Sequence, residues 1–164
     1  MSDLRSITQQ LKDRLIFEML TPNQMAARIW LENMDFPPHR VINLYGPKGS
    51  GKTFLSYLLQ REGYATAFDY GAAYKPVLPR LLIDKAPSDT EATRALRPLA
   101  QTLSVKQIIL LSRNKVQEPS LPAFEMIIND EDREKVISNL YRHLKLVVED
   151  GHYSNYFEIL KNAR

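Results

Sequence analysis

Apolar residues in this chain follow two rhythms, one of helical period at both ends and one of short continuous runs between them. Ile7, Leu11, Leu15, Ile16 and Met19 recur at helical spacing with Gln, Lys, Asp and Arg among them, which predicts an amphipathic helix over residues 6–20. Its apolar stripe either packs on the rest of the protein or docks a partner, and packing is the simpler outcome. Thr21-Pro22-Asn23-Gln24 then reads as a helix start: threonine caps, proline suits the first helical position and Gln24 closes a capping box. This second helix should reach about Met34, with Met25, Ala26, Ile29, Trp30 and Met34 on its apolar side and Trp30 in the core. Phe36-Pro37-Pro38-His39 breaks it, and the lone His39 receives no role.

Continuous apolar runs predict buried strands at residues 41–45, 65–69, 80–84, 107–112 and 124–128. A helix after the first strand should end near Glu62-Gly63, where glycine supplies a left-handed cap. Residues 71–76 are too few for a full crossover helix, whereas Ser88-Asp89-Thr90-Glu91 is a capping box opening a helix to about Leu103 that Pro98 must kink. Asn129 or Asp130 should cap a long helix over 131–149 that stops at Gly151, with a short helix from Tyr153. The expected fold class is α/β, a parallel five-stranded sheet with helices on both faces. Its expected divisions are an N-terminal amphipathic helix at 1–20, a core at 21–129 and a short C-terminal helical lid at 130–164.

At 164 residues and 44% hydrophobic content the chain suits one compact domain. A net charge of +3, carried by the first hundred residues, permits weak DNA contact without demanding it. The absence of cysteine excludes a disulfide framework, a thiolate metal site and a thiol nucleophile. The first residues lack a signal-peptide core, and the apolar runs at 107–111 and 144–148 are too short to cross a bilayer, so a cytoplasmic protein without membrane attachment is expected.

The sharpest chemical signal is GPKGSGKT, which is Gly46, Pro47, Lys48, Gly49, Ser50, Gly51, Lys52 and Thr53. It fills every fixed position of the phosphate-binding pattern G-x-x-x-x-G-K-[ST], the Walker A loop, between an apolar strand and an apolar helix. Such a loop turns backbone N–H groups around the phosphates of a nucleotide, with the positive helix end facing the anion. Lys52 would neutralise phosphate and Thr53 would offer its hydroxyl to Mg²⁺, making ATP or ADP with Mg²⁺ the expected ligands. Arg80-Leu81-Leu82-Ile83-Asp84 is an apolar strand ending in a carboxylate, the form of a Walker B strand in which Asp84 supports the metal opposite Thr53. The fourth run ends in Ser112, so loop, Asp84 and Ser112 converge where ligands bind in parallel sheets, at the carboxyl ends of strands.

With these segments in order, the chain resembles AAA+ P-loop ATPases of the DnaA-related branch, most closely Hda-type regulators of replication initiation. The resemblance covers about residues 21–146. It is carried by TPNQMAARIWLEN, VINLYGPKGSGKTFLSYLLQ, LLID, IILLSR and LPAFEMIINDEDREKVISNLYRHL. It implies that Lys52 and Thr53 bind phosphate and magnesium, that Asp84 supports the metal and that Ser112 senses the γ phosphate. It also implies a replication-associated partner, either a DnaA-like ATPase or the DNA sliding clamp. For the clamp, Gln10-Leu11 and Leu15-Ile16-Phe17 have suitable residue types, but their spacing differs from the usual pentapeptide and they lie in the predicted helix.

The departures from that family bear on activity. Lys85 stands where a second acid would polarise the attacking water, and a lysine cannot serve as that carboxylate. The loop after the fourth strand offers Arg113 and Lys115 but no arginine near Leu121-Pro122-Ala123-Phe124, and the lid offers only Arg133 and Arg142 as sensor arginines. No catalytic residue is assigned. A nucleotide-binding adaptor or regulator with weak or no hydrolysis is the leading expectation. Two alternatives stay open: an active AAA+ ATPase resembling a helicase loader, and a small P-loop kinase in which Asp69 orients an acceptor hydroxyl.

Overall fold

The structure is a computed structural model and describes residues 3–34, 41–68, 80–86, 88–89 and 105–164. Five parallel strands form one sheet: β1 Val41–Tyr45, β2 Thr66–Ala67, β3 Arg80–Ile83, β4 Gln107–Ser112 and β5 Ala123–Glu125, in the order β2-β3-β4-β1-β5. β1 lies between β4 and β5, with Ile42 level with Ile109 and Leu44 with both Leu111 and Phe124. The loop that follows β1 therefore leaves from an interior strand of the sheet. β2 and β5 are shorter than their apolar runs, although Met126 N–H still donates to Tyr45 O at 2.6 Å.

Period-two alternation splits the sheet's residues between two cores. Ile42, Leu44, Leu82, Ile109 and Leu111 face one side, and Val41, Leu81, Ile83, Ile108 and Leu110 the other. The described helices all pack on the first side: α1 Leu4–Arg14, α2 Pro22–Asn33, α3 Lys52–Arg61, α4 Asp130–Asn139 and α5 Tyr156–Lys161. The second side is buried against Val105, Val116 and Leu121. The helix expected over 88–103 lies outside the described residues.

Two helix ends and one helix face differ from the sequence pattern. The first helix ends at Arg14, not Leu20: Ile16 is extended and Phe17–Met19 forms a single 3₁₀ turn. The cause is tertiary, because Arg61 at the end of α3 donates to Lys12 O and, at 2.6 Å, to Leu15 O, capping α1 with a cation. Its stripe of Ile7, Leu11 and Leu15 is buried in the main core. α2 carries the predicted capping box but is rotated from the expected face, burying Gln24, Ala27 and Leu31 and leaving Ile29 53% exposed. Trp30 packs at the rim of that core against Phe124, with ring centroids 5.7 Å apart. α4 starts as expected with Asn129 as cap, but widens into a π-type turn at Leu140–Leu144 and stops at Lys145 (φ 59°). There, too, long-range bonds intervene: Asn139 donates to Met19 O at 2.7 Å and Arg14 to His143 O.

Candidate phosphate-binding site

The loop between β1 and α3 is held from three directions. Gly46 N–H donates to Ser112 O at 3.1 Å, Gln24 Nε2 donates to Gly51 O at 3.0 Å, and Tyr156 N–H donates to Gly49 O at 3.1 Å. Its glycines answer to those close approaches as well as to the backbone. Gly51 has φ +91°, and a Cβ there would stand 2.5 Å from Gln24 Nε2 and 2.8 Å from the Tyr156 ring. At Gly46 a Cβ would stand 2.3 Å from Met126 O. Gln24 serves twice, because its Oε1 also accepts from Thr21 N–H at 2.9 Å within the capping box of α2.

Lys52 opens α3 and folds back over the loop, donating to Gly46 O at 2.6 Å, Pro47 O at 2.9 Å and Ser50 Oγ at 3.2 Å. Burial holds its ammonium below the usual lysine range; Asp84 opposes that shift and Arg113 adds to it. The three groups are therefore close enough to feel one another's charge. Asp84 follows β3 directly, is exposed, and accepts from Lys85 N–H at 2.8 Å. Lys85 is left-handed (φ 53°), and Ala86 N–H donates to Leu111 O at 2.8 Å, which fixes this turn on β4.

Ser112 is only 2% exposed, and its hydroxyl is engaged on both sides. It donates to Asn114 O at 2.7 Å and accepts from Asn43 Nδ2 at 2.9 Å. Asn43, fully buried in β1, also donates to Leu110 O at 3.1 Å and accepts from Val116 N–H at 3.0 Å, so it ties down the turn after β4. Nothing in an apolar run marks such an asparagine except its being polar there.

One cavity of about 700 Å³ gathers these groups: Lys48, Lys52, Thr53, Asp84, Lys85, Ser112 and Arg113 line it. Phe54, Tyr57, Phe157, Leu160 and Thr8 line it as well. The cavity is thus both charged and aromatic, as a site for a ligand with an anionic and a flat apolar part must be. The sequence did not point to Phe157, which stands beside Gly49 with Lys48 Nζ 5.6 Å from its ring centroid. Thr53 and Asp84 supply one hydroxyl and one carboxylate, a donor set that fits Mg²⁺, since that ion keeps several waters and shares phosphate oxygens.

Other sequence candidates stand elsewhere. Arg133 donates to Tyr153 O and, at 2.6 Å, to Asp130, so it braces the C-terminal segment; neither it nor Arg142 or Lys115 lines the cavity. Asp69 lies outside the described residues. Gln10 and Leu11 sit in α1, but Ile16 and Phe17 lie beyond its end, 46% and 44% exposed.

The fold is similar to that of a replication initiator DnaA bound to AMPPCP and single-stranded DNA, with a TM-score of 0.59 and 19% identity over 85% of this chain and 60% of that one. A DNA replication initiation factor matches at TM-score 0.55 and 19% identity, over 82% of this chain and 56% of the other. AMPPCP-bound DnaA from Aquifex aeolicus matches at 0.50 and 19% identity, over 76% and 51%. The chain therefore spans between 51% and 60% of the length of these initiators. At such identity the likeness establishes the fold alone, an α/β fold with a parallel sheet shared with these initiators. No protein-family model matches the sequence, and no curated protein does.

Proposed function

We propose that this protein is a nucleotide-binding, DnaA-like adaptor or regulator of DNA replication that holds ATP or ADP and hydrolyses it slowly or not at all. The observation that carries the reading is the single cavity onto which Lys52, Thr53 and Asp84 open while Lys85 occupies the position after Asp84. Loop N–H groups and Lys52 bind the phosphates, Lys52 exchanging loop carbonyls for phosphate oxygens. Mg²⁺, held by Thr53 and Asp84, would supply further charge neutralisation. Residues 130–164 act as a reduced lid, seated on the loop through the bond from Tyr156 to Gly49.

Lys85 cannot accept a proton from an attacking water as a carboxylate does, and loss of a placed base costs about 10²–10⁴-fold in rate. The fold is shared with replication initiators, one of them bound to single-stranded DNA, which supports a replication-associated protein partner and weak DNA contact for this chain. Phosphate release from Mg-ATP, measured over a wide protein concentration range with Lys52→Ala as blank, tests this reading. The expected result is bound nucleotide with no release above the blank. Release that climbs with protein concentration would contradict it and favour an oligomeric ATPase.

A further inference from the structure

Among the described residues, four cations and one carboxylate line the cavity: Lys48, Lys52, Lys85 and Arg113 against Asp84. Two of the cations are locally engaged, Lys48 near the Phe157 ring and Lys52 on the loop's own oxygens. Lys85 and Arg113 are exposed and form no salt bridge among the described residues. Like charges brought to one concave site repel, and an entering polyanion relieves that repulsion.

Both residues are set there by backbone geometry. The left-handed turn at Lys85 is pinned to β4 by Ala86, and Arg113 directly follows the strand-end Ser112. Because the Ser112 proton already goes to Asn114 O, the charged donors that the described end of β4 offers the cavity are those of Arg113, whose planar fork matches phosphate oxygens. Asp84, the single carboxylate on the cavity among the described residues, already accepts from Lys85 N–H.

We infer that Lys85 and Arg113 neutralise polyphosphate charge alongside Mg²⁺, so that the cavity keeps its affinity for a nucleoside triphosphate when the divalent cation is withdrawn. The inference rests on the nucleotide reading above and adds which charges hold the polyphosphate. Lys85 then has a positive task in addition to lacking a base.

The test is calorimetric titration of ATP into the full chain, stripped of nucleotide, in buffer with Mg²⁺ and in buffer with EDTA. The wild type is expected to change affinity by less than about threefold between the two. Lys85→Glu and Arg113→Gln should each lose about tenfold or more in EDTA, while Arg113→Lys, which keeps the charge, should lose less. Adding Mg²⁺ should restore much of the loss in Lys85→Glu, whose new side chain offers the metal a second carboxylate beside Asp84. Wild-type affinity that falls about tenfold or more in EDTA would overturn the inference and leave the nucleotide reading standing. So would folded variants, checked by circular dichroism, that match the wild type in EDTA, or a short single-stranded oligonucleotide that displaces ATP there. A wild type that binds ATP in neither buffer would remove both readings together.

Discussion

Gly51 shows how tightly single residues of the loop are constrained. Its φ of +91° is one that a side chain rarely adopts, and the space a Cβ would need is filled by Gln24 and Tyr156. Gly51→Ala is expected to destabilise the protein by about 1–3 kcal/mol through strain and overpacking. The urea midpoint checks this, and an unchanged midpoint would contradict the geometry. Asn43→Ala is a second test, in β1. It strands the buried Val116 N–H, and an unsatisfied buried group costs about 1–3 kcal/mol. Thermal unfolding should show the loss. The loop's chemistry was legible in the sequence because glycine, lysine and threonine at fixed spacing have few other uses. Asn43, Gln24 and Phe157 were not, since their partners lie 27 residues or more away, as Gln24's bond to Gly51 illustrates.

Among the elements, the N-terminus of α2 joins the most parts. Gln24 reaches the loop, Asn23 N–H donates to Asp132 Oδ1 at 2.8 Å, and Asn23 Oδ1 accepts from Ile127 N–H at 3.0 Å. Asp132 is fully buried and its other oxygen accepts from Asn129 N–H at 2.9 Å, so one carboxylate caps α4 and ties it to α2. Asp132→Ala should cost about 2–4 kcal/mol, more than an ordinary cap, because two N–H groups lose a charged acceptor. A thermal midpoint within error of the wild type would count against that link. The capping box T-P-N-Q was readable and fixed where α2 begins, and of the two expected caps of α4, Asn129 and Asp130, the structure uses Asn129. The ends of α2 near Met34 and of α3 at Glu62-Gly63 were readable too, but those of α1 and α4 were not. Leu15 and Met19 continue the helical period, but Arg61 stops α1 from across the fold, and Asn139 engages Met19 O just before α4 widens.

At the scale of the whole molecule, the C-terminal segment shares one core with the rest. Tyr153, Tyr156, Ile159 and Leu160 join Ile7 and Leu11 of α1 and Leu55, Leu58 and Leu59 of α3. Unfolding is therefore expected to be a single transition, and removing residues 152–164 should abolish it, not trim an independent piece. The parallel direction of the sheet followed from short apolar runs around one phosphate loop, because a parallel sheet buried on both faces requires such runs, whereas the order β2-β3-β4-β1-β5 was visible only in the fold. Among the described residues no helix is long and apolar enough to cross a membrane. Whether the cavity beside Lys52 holds a nucleotide is decided by equilibrium binding of ATP to the wild type and to Lys52→Ala. A saturable wild-type isotherm is expected, weakened by about tenfold or more in Lys52→Ala, as loss of a charge-assisted phosphate contact requires; equal isotherms for the two proteins would rule out a nucleotide site there.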